Sequence, residues 1–450
     1  MKRSSLFPIA LILLGAAAGA LVGYKGYLAL AGVVAIGLAV TGFLFPETIL
    51  IASVGSVVVG QLVRIPIFGS DNSIILNDIL LPALIVCWTL RRLGSGSWKF
   101  PRMSIWLPLT FTLLSMIVSV LINRSSYTTN EWISGALYLL RWIEYAALFF
   151  ITLDVAKKES RARWYRNLLV GAAIVTAGLG FLQLYFFPDF SFMVPQGWDP
   201  HVGRLLSTWF DPNFLGGYLA MFAAIVLAQA LLRPAKNWKW WVLFAVLSAA
   251  EVLTFSRSGY VGYVIGVGFV ALFRSRVLLF LGILTSLSVV LLVPRVQERV
   301  IGIRTVDQTA QLRIVSWNNA LQVIADHPYF GVGYNHYKYA QVKYGFLQDT
   351  KEHSASGSDS SLLTIWVTTG IIGAISYLWL FGALIWESMK TWRDKKLSSE
   401  WQAFGLGVTA AMLAIFAHSQ FVNGWFYPHI MQMMWMLTAI AITVRQKHTT

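Results

Sequence analysis

The sequence predicts an all-α polytopic membrane protein, and three observations lead to that prediction. The 450 residues are 57% hydrophobic and only 12% charged, whereas soluble domains are about 25% charged. Apolar runs of roughly 20 residues, the length needed to cross a bilayer, recur along the chain. The 19 Trp, 17 Tyr and 28 Phe residues are enough for aromatic belts at both membrane surfaces. This composition excludes a soluble enzyme, a disordered protein, a collagen and a disulfide-rich scaffold.

The apolar runs predict about 12–14 transmembrane helices in a single integral membrane domain over residues 1–450. The first run follows Lys2 and Arg3 and resembles a signal peptide, but the closely following spans favour an uncleaved first helix. The predicted spans are 6–23, 27–44, 46–62, 75–90, 103–122, 135–153, 166–187, 212–232, 240–255, 259–273, 277–293, 361–386, 401–421 and 427–444.

The formal net charge of +15 has a topological explanation in a membrane protein. With Met1 in the cytoplasm, most Lys and Arg residues fall in inside segments, as the positive-inside rule requires. Both termini are therefore expected in the cytoplasm. No basic stripe suited to nucleic acid is present, and the single cysteine, Cys87, permits no intrachain disulfide.

Two outer loops, residues 188–211 and 294–360, are long, and long loops are uncommon in compact proteins unless they function. The larger loop has an apolar pattern with helical spacing, with an arginine one turn before it on the same face. The pattern predicts an amphipathic helix that ends before Pro328, which cannot continue a helix. Its residues are Arg313, Trp317, Ala320, Leu321 and Ile324.

A helix N-terminus near the outer surface is predicted at the end of the first loop. Asp211 is a natural N-cap and Pro212 suits the first helical position. Free N–H groups and the helix dipole attract anions at such a position. Arg204 precedes this start and Asn213 follows it, so together they could hold an anion. The alternative is an interfacial arginine that pairs with lipid phosphate and specifies nothing.

Two more arginines are predicted on the same side. Arg257 falls in a tight turn between two spans, before Gly259, which permits close backbone approach. Arg313 on an apolar helix face must snorkel or find a partner. Three arginines on one side indicate a phosphate-rich ligand, because guanidinium offers a planar fork to phosphate oxygens.

The candidates for a catalytic base lie at the end of the large loop. Asp359 opens the twelfth predicted span, so it could be an N-cap, a base, or both. His353 is the nearest upstream histidine, and His336 and His327 are further alternatives. A histidine in a loop is usually only solvated.

Three charged residues fall within predicted spans and away from the ends of those spans: Arg141, Glu144 and Glu251. Intramembrane charges are costly and usually pair or function. Arg141 and Glu144 have i, i+3 spacing, which favours a structural pair. The outer loops carry no cluster of carboxylates with metal-ligand spacing, and no P-loop, HExxH, CxxC or GxSxG motif occurs. No metal or cofactor is therefore expected.

Several motifs over residues 130–440 together resemble the O-antigen ligase/polymerase superfamily of bacterial membrane glycosyltransferases. No single motif is decisive, but their order and spacing are fairly specific. The motifs run through Gly203-Arg204, Asp211-Pro-Asn213-Phe-Leu-Gly-Gly-Tyr, Ser256-Arg257-Ser-Gly, Arg313 with Trp317, His327-Pro-Tyr-Phe-Gly331-Val-Gly333, Thr369-Gly370-Ile-Ile-Gly373 and Asn423-Gly-Trp-Phe-Tyr-Pro428.

The resemblance implies a C-type glycosyltransferase-like fold and a metal-independent, inverting transfer of a glycan carried on undecaprenyl diphosphate. It implies that Arg204 and Arg313 bind the donor diphosphate, with Arg257 in a less certain role. In the ligases a histidine stands about eleven residues before the first glycine of the Gly-Ile-Ile-Gly motif. In this chain that glycine is Gly370, and Asp359 stands at the position of the histidine. The departure favours a polymerase slightly over a ligase.

The resemblance implies an active site on the outer face of the cytoplasmic membrane. The acceptor could be a second glycan, a lipid A core or a protein hydroxyl. A transporter or lipid-linked glycan flippase is the alternative from another class, and a non-catalytic scaffold is a third. Transporters tend to show repeated halves and midplane sites, whereas this chain concentrates its unusual residues at the outer surface.

Overall fold

The computed structural model describes residues 45–66, 73–96, 100–232, 237–301, 308–350 and 357–446, together with Gly37. Helices dominate these residues, and the only strands among them are the short β1 (Arg64–Pro66) and β2 (Ser73–Ile75). The predicted all-α fold class is therefore confirmed. The predicted spans at 6–23 and 27–44 lie outside the described residues, apart from Gly37.

The other predicted spans each overlap a helix. In the described residues the helices are α1 (Pro46–Val59), α2 (Asn77–Ser95), α3 (Trp106–Ile122), α4 (Thr129–Val155), α5 (Glu159–Phe186), α6 (Pro212–Ala230), α7 (Trp238–Thr254), α8 (Arg257–Arg274), α9 (Arg276–Leu292), α10 (Pro294–Ile301), α11 (Gln308–Asp326), α12 (Tyr337–Lys343), α13 (Ser361–Arg393), α14 (Ser399–His418) and α15 (Pro428–Gln446). Five of them, α4, α5, α6, α13 and α14, are long and apolar enough to cross a membrane.

The chain divides into two compact units. The first comprises residues 1–56 and 75–100, and the second comprises residues 57–74 and 101–450. In the first unit, the Ser56 hydroxyl donates to Asn77 Oδ1 at 2.5 Å. Every candidate site residue predicted from the sequence belongs to the second unit.

Helix α6 lies at the centre of the second unit and packs against α7, α8 and α14. All of its residues from Leu215 to Ala230 are buried, as expected for a helix that is apolar on every side. Glycines bring α6 and α8 into backbone contact. A Cβ built on Gly216 would lie 3.1 Å from the Gly259 Cα atom, which confirms the predicted close approach at Gly259.

Helix α13 is interrupted at Gly370, where φ is 69° and ψ is −173°. The outer-loop segment 328–333 supplies hydrogen-bond partners beside the break. The Ile371 amide donates to the Pro328 carbonyl at 2.8 Å, and the Val332 amide donates to the Val367 carbonyl at 3.0 Å. Two motifs that the resemblance joins only by their order in sequence are therefore physically paired.

The amphipathic helix predicted in the large loop is confirmed as α11, which ends at Asp326, before Pro328. Its buried face contains Ala320 and Ile324, as predicted, but also Val323. Leu321, also on the predicted apolar face, is 48% exposed, so only part of that face packs against protein. Ala320, Val323 and Ile324 form this part and pack against the residues around Val332 and Val367.

Candidate functional site

The start of α6 forms as the sequence predicts. Asp211 is the N-cap, and its Oδ1 accepts the Asn213 amide at 2.6 Å and the Phe214 amide at 3.3 Å. Desolvation raises the pKa of the Asp211 carboxyl, while these two donors and the nearby Arg204 charge oppose the rise. The cap residue is therefore more easily protonated than an exposed aspartate.

The α7–α8 turn meets the start of α6 through side chains. Ser256 is the N-cap of α8, and its Oγ accepts the Gly259 amide at 3.2 Å. The same hydroxyl donates to Asn213 Oδ1 at 3.0 Å. Arg257 is the first residue of α8. Two helix N-termini are thus joined by one amide–hydroxyl bond, and we call Asp211–Asn213 with Ser256–Gly259 the polar junction.

Arg204 holds backbone groups at the end of α7. Its Nε donates to the Thr254 carbonyl at 2.8 Å, and one terminal nitrogen donates to the Phe255 carbonyl at 3.3 Å. Arg295 secures the other side of the same loop by donating to the Gly203 carbonyl at 2.7 Å and lying over the Phe255 ring. The guanidinium predicted to bind diphosphate therefore also anchors the loop beside the polar junction.

The Arg313 charge acts on a histidine beside the start of α6. It lies within electrostatic range of the His418 imidazole, and His418 Nε2 lies 2.9 Å from the Asn213 carbonyl oxygen. His418 is fully buried at the end of α14, where Gly217 makes room for its ring. The Arg204 charge acts on Asp211, so both arginines act electrostatically on groups around the start of α6.

The two intramembrane glutamates are buried. Glu251 is 1% exposed, and neither carboxylate oxygen has a hydrogen-bond partner among the described residues. It packs beside Gly259, where an added Cβ would lie 2.5 Å from its Oε1. Glu144 is 8% exposed within α4. The predicted Arg141–Glu144 pair stays a prediction.

Asp359 is not the N-cap of α13. That residue is Ser360, whose side chain accepts the Leu363 amide at 3.4 Å. Asp359 instead has a left-handed backbone with φ 52°, a conformation that aspartate tolerates better than most residues. The cap interpretation is therefore wrong by one residue, and the possible role of Asp359 as a base stays a prediction.

Asp359 lies at the end of the large loop, within electrostatic range of Tyr337. Burial raises the pKa of the Tyr337 phenol, and the charge of Asp359 raises it further. His353, the alternative base, lies outside the described residues. His336 is fully buried, and its Nδ1 lies 2.8 Å from the Tyr334 carbonyl oxygen. Its position is that of a packed core residue.

A cavity of about 170 Å³ lies beside the polar junction. It is lined by α4, the large loop, α13 and the start of α15. Phe214, the residue after Asn213, is part of its wall and stacks on Tyr427 with 4.1 Å between ring centroids. Among the predicted site residues, Arg141 lines this cavity. Its wall does not include Arg204, Arg257, Arg313 or Asp359.

Sequence reasoning missed His418, Arg295 and Tyr334. An isolated histidine at the end of an apolar span was the available signal for His418. Arg295 follows the proline that opens the large loop, but nothing local indicates that it returns to Gly203. Tyr334 has no signal in the sequence, because its place in the cavity wall depends on how the large loop packs against α4 and α13.

These helices and this polar junction define a polytopic helical membrane protein with its candidate site where loops meet helix ends. A family model described as O-antigen ligase matches residues 242–378. A curated relative from Pseudomonas aeruginosa, named O-antigen ligase, is 24% identical over 297 residues, covering 62% of this chain and 66% of the relative. The aligned region is thus just under two thirds of the relative's length. Both findings confirm the resemblance to the O-antigen ligase/polymerase superfamily.

The matched region contains Arg257, Arg313, Asp359 and the Gly370 break. Arg204 and Asn213 lie before it, and the polar junction joins the two parts through the Asn213–Ser256 bond. Within the described residues, no three His, Cys, Asp or Glu side chains are grouped closely enough to hold a metal ion.

Proposed function

We propose that this protein transfers a glycan from undecaprenyl diphosphate to an acceptor hydroxyl on the outer face of the cytoplasmic membrane. The observation that carries the proposal is that the family match at 242–378 contains Arg257, Arg313 and Ser256, and that Ser256 bonds to Asn213 at the start of α6. The Arg313 charge acts on His418, whose Nε2 lies 2.9 Å from the Asn213 carbonyl oxygen. Two helix N-termini and flanking arginines suit a diphosphate. The proposed topology has both termini in the cytoplasm.

In the proposed reaction the acceptor oxygen attacks the anomeric carbon of the donor sugar. The bond from that carbon to the diphosphate oxygen breaks, so the sugar inverts and undecaprenyl diphosphate leaves. Negative charge that grows on the diphosphate would be stabilised by Arg204, Arg313 and the amides at the start of α6. Asp359 would accept the proton of the acceptor hydroxyl, with His353 as the alternative base. No step requires a metal.

The acceptor class stays open among a second lipid-linked glycan, a lipid A core and a protein hydroxyl. The aspartate at position 359, in the register where the ligases carry histidine, favours the polymerase slightly. A polymerase would produce a ladder of glycan lengths on undecaprenyl diphosphate from the donor alone. A ligase or a protein glycosyltransferase would require its own acceptor.

The test is transfer of lipid-linked glycan by membranes that contain Arg313→Ala, Arg204→Ala or Asp359→Ala. Loss of a transition-state donor should reduce the rate by about 10²–10³, and loss of the base should reduce it by about 10²–10⁴. Arg393→Ala and Asp349→Ala are matched controls because both side chains are exposed and neither residue belongs to the polar junction or lines the cavity. Wild-type rates in all three site variants would end the proposal.

A transporter remains the alternative from another class, and the Gly370 break is the observation that favours it, because transporters use discontinuous helices to bind ions. In this protein the outer-loop segment 328–333 supplies partners to the backbone on both sides of the break. Such pairing supports a structural join rather than an ion site. Glycan flux across proteoliposomes without any transfer product would favour the transporter.

A further inference from the structure

The cavity beside the polar junction has the size of a small-ligand subsite. Its volume of about 170 Å³ is smaller than the pockets that hold drug-sized ligands and suits one six-membered ring. Aromatic rings form much of its wall, including Tyr138, Trp142, Phe426 and Tyr427. The negative face of such rings attracts positively polarised C–H groups, which a pyranose ring presents on its faces.

Polar groups are set among these rings in fixed positions. Thr364 Oγ1 donates to Asn423 Oδ1 at 2.7 Å, which orients the amide. The Tyr334 phenol is buried, and burial raises its pKa well above the ordinary value, so this group is a neutral O–H. Amide and phenol groups of known orientation can bond the hydroxyls of a sugar.

The loop that carries Tyr334 is held rigidly against the helices. The Gly333 amide donates to the Thr368 carbonyl at 3.1 Å, and the Tyr127 hydroxyl donates to the Val332 carbonyl at 2.6 Å. His336 fills a space left by Gly135 of α4. A binding site built on rigid elements loses little entropy when a ligand arrives.

Arg141 brings a guanidinium group to the cavity wall. Its guanidinium lies over the Tyr138 ring, 4.8 Å from the centroid, and one terminal nitrogen donates to the Ser73 carbonyl at 3.2 Å. These contacts fix its plane at the cavity wall. A guanidinium in a fixed plane matches carboxylate and phosphate oxygens better than it matches a neutral hydroxyl.

We propose that this cavity binds one sugar ring that carries an anionic group, with Arg141 on the carboxylate or phosphate and Asn423 and Tyr334 on the hydroxyls. The inference rests on the proposed function and adds a substrate class to it, because it makes the enzyme selective for an acidic glycan. The Thr364 hydroxyl links the cavity to the segment before α13, lying 2.9 Å from Ser358 Oγ. Asp359 follows Ser358 in the chain, so the cavity wall is connected to the segment that carries the proposed base.

The experiment measures binding of three probes to the full-length protein in nanodiscs by saturation-transfer difference NMR. The probes are methyl β-glucoside, methyl β-glucuronide and glucose 1-phosphate. We expect the glucuronide to bind more tightly than the neutral glucoside. Preference for glucose 1-phosphate over both would place the donor phosphate in the cavity and would contradict the acidic-glycan inference.

Variants locate the binding. Arg141→Gln should weaken the anionic probe by about tenfold or more, the value of one charge-assisted hydrogen bond, and should remove the preference over the neutral probe. Arg141→Lys keeps the charge without the planar fork and should lie between the two. Asn423→Ala should weaken all three probes. Arg124→Gln is the matched control, because Arg124 also lies over an aromatic ring, that of Trp132, but does not line the cavity.

The proposal fails if no probe binds, if Arg141→Gln leaves the anionic preference intact, or if Arg124→Gln abolishes it equally. A tryptophan fluorescence melt checks that each variant is folded, and Tyr334→Phe, which removes one hydroxyl, supplies a milder variant. Binding is read without turnover. If the protein binds anionic probes through Arg141 but transfers no glycan, the proposed function is rejected and the cavity proposal stands. If the protein transfers glycan but shows no such binding, the proposed function stands and the cavity proposal is rejected.

Discussion

Arg204 and Arg141 make different kinds of contact. Arg204 donates to the Thr254 and Phe255 carbonyls, whereas Arg141 lines an open cavity and donates to the Ser73 carbonyl. Arg204 belongs to the motifs that carry the family resemblance, and Arg141 does not. A motif arginine can thus be part of the scaffold of a site, while a residue outside the motif faces the space that a ligand would fill.

The largest expected effect tests Gly370, the residue at which the loop segment 328–333 joins α13 beside the cavity. Gly370→Ala should destabilise the protein by about 2–4 kcal/mol, because the residue has φ 69° and the new Cβ would lie 2.1 Å from the Tyr329 carbonyl. Gly382→Ala in the same helix is the control, since nothing lies within 4 Å of a Cβ there. Equal melting temperatures for the two variants would contradict the join between the loop and α13.

The next effect tests the two arginines directly. Arg204→Gln should cost about 1–3 kcal/mol, because charge-assisted bonds to two carbonyls are lost. Arg141→Gln should cost less than Arg204→Gln, since the bond from Arg141 to the Ser73 carbonyl lies beside a cavity that water can enter. Thermal unfolding in one detergent measures both. A larger loss for Arg141→Gln would invert the comparison.

A smaller effect tests how far Arg295 supports the loop that carries Arg204. Arg295→Gln should cost about 0.5–1.5 kcal/mol through its bond to the Gly203 carbonyl. Because Arg295 bonds to the residue before Arg204 and both arginines contact Phe255, the double variant should be non-additive. Arg393→Gln, also an arginine over a neighbouring ring, is the control. Strict additivity would mean that the two side chains hold the loop independently.

The smallest effect depends on pH. Burial lowers the pKa of His336, partly opposed by the Glu131 charge and reinforced by that of Lys338. The unfolded chain therefore binds a proton at about pH 6.5 while the folded loop does not, so stability is lost as pH falls below that value. The difference between the melting temperatures at pH 7.5 and pH 5 should be smaller in His336→Gln than in the wild type. The exposed His327→Gln should keep the wild-type slope.

Local signals let the sequence predict much of the frame. The Asp211-Pro212 pair predicted the start of α6 because a cap and an N1 proline act within one turn. The start of α13 was missed by one residue, since Asp359 and Ser360 are both good caps and a distant bond decides between them. That bond runs from the Ser361 amide to the Ser419 carbonyl at 2.8 Å.

The cavity could not be predicted in the same way. Its wall draws on residues from Tyr138 to Met431, and no spacing rule relates positions so far apart. Arg141 was read with Glu144 because they are neighbours on one helix. The loop that brings Tyr334 to Arg141 depends on backbone pairing with Val367 and Thr368, which leaves no trace in side-chain periodicity.

The pairing of residues 328–333 with the interrupted helix is made by main-chain atoms. Exchanging the side chains at Phe330, Val332 or Val367 would leave every one of those bonds possible. A single residue inserted between Pro328 and Gly333 would instead shift each amide past its carbonyl. Gly331 and Gly333 are exceptions, because their φ angles of 63° and 103° favour glycine. At Phe330 and Val332 chain length is under tighter constraint than chemistry, and relatives should tolerate substitutions there far more readily than insertions or deletions.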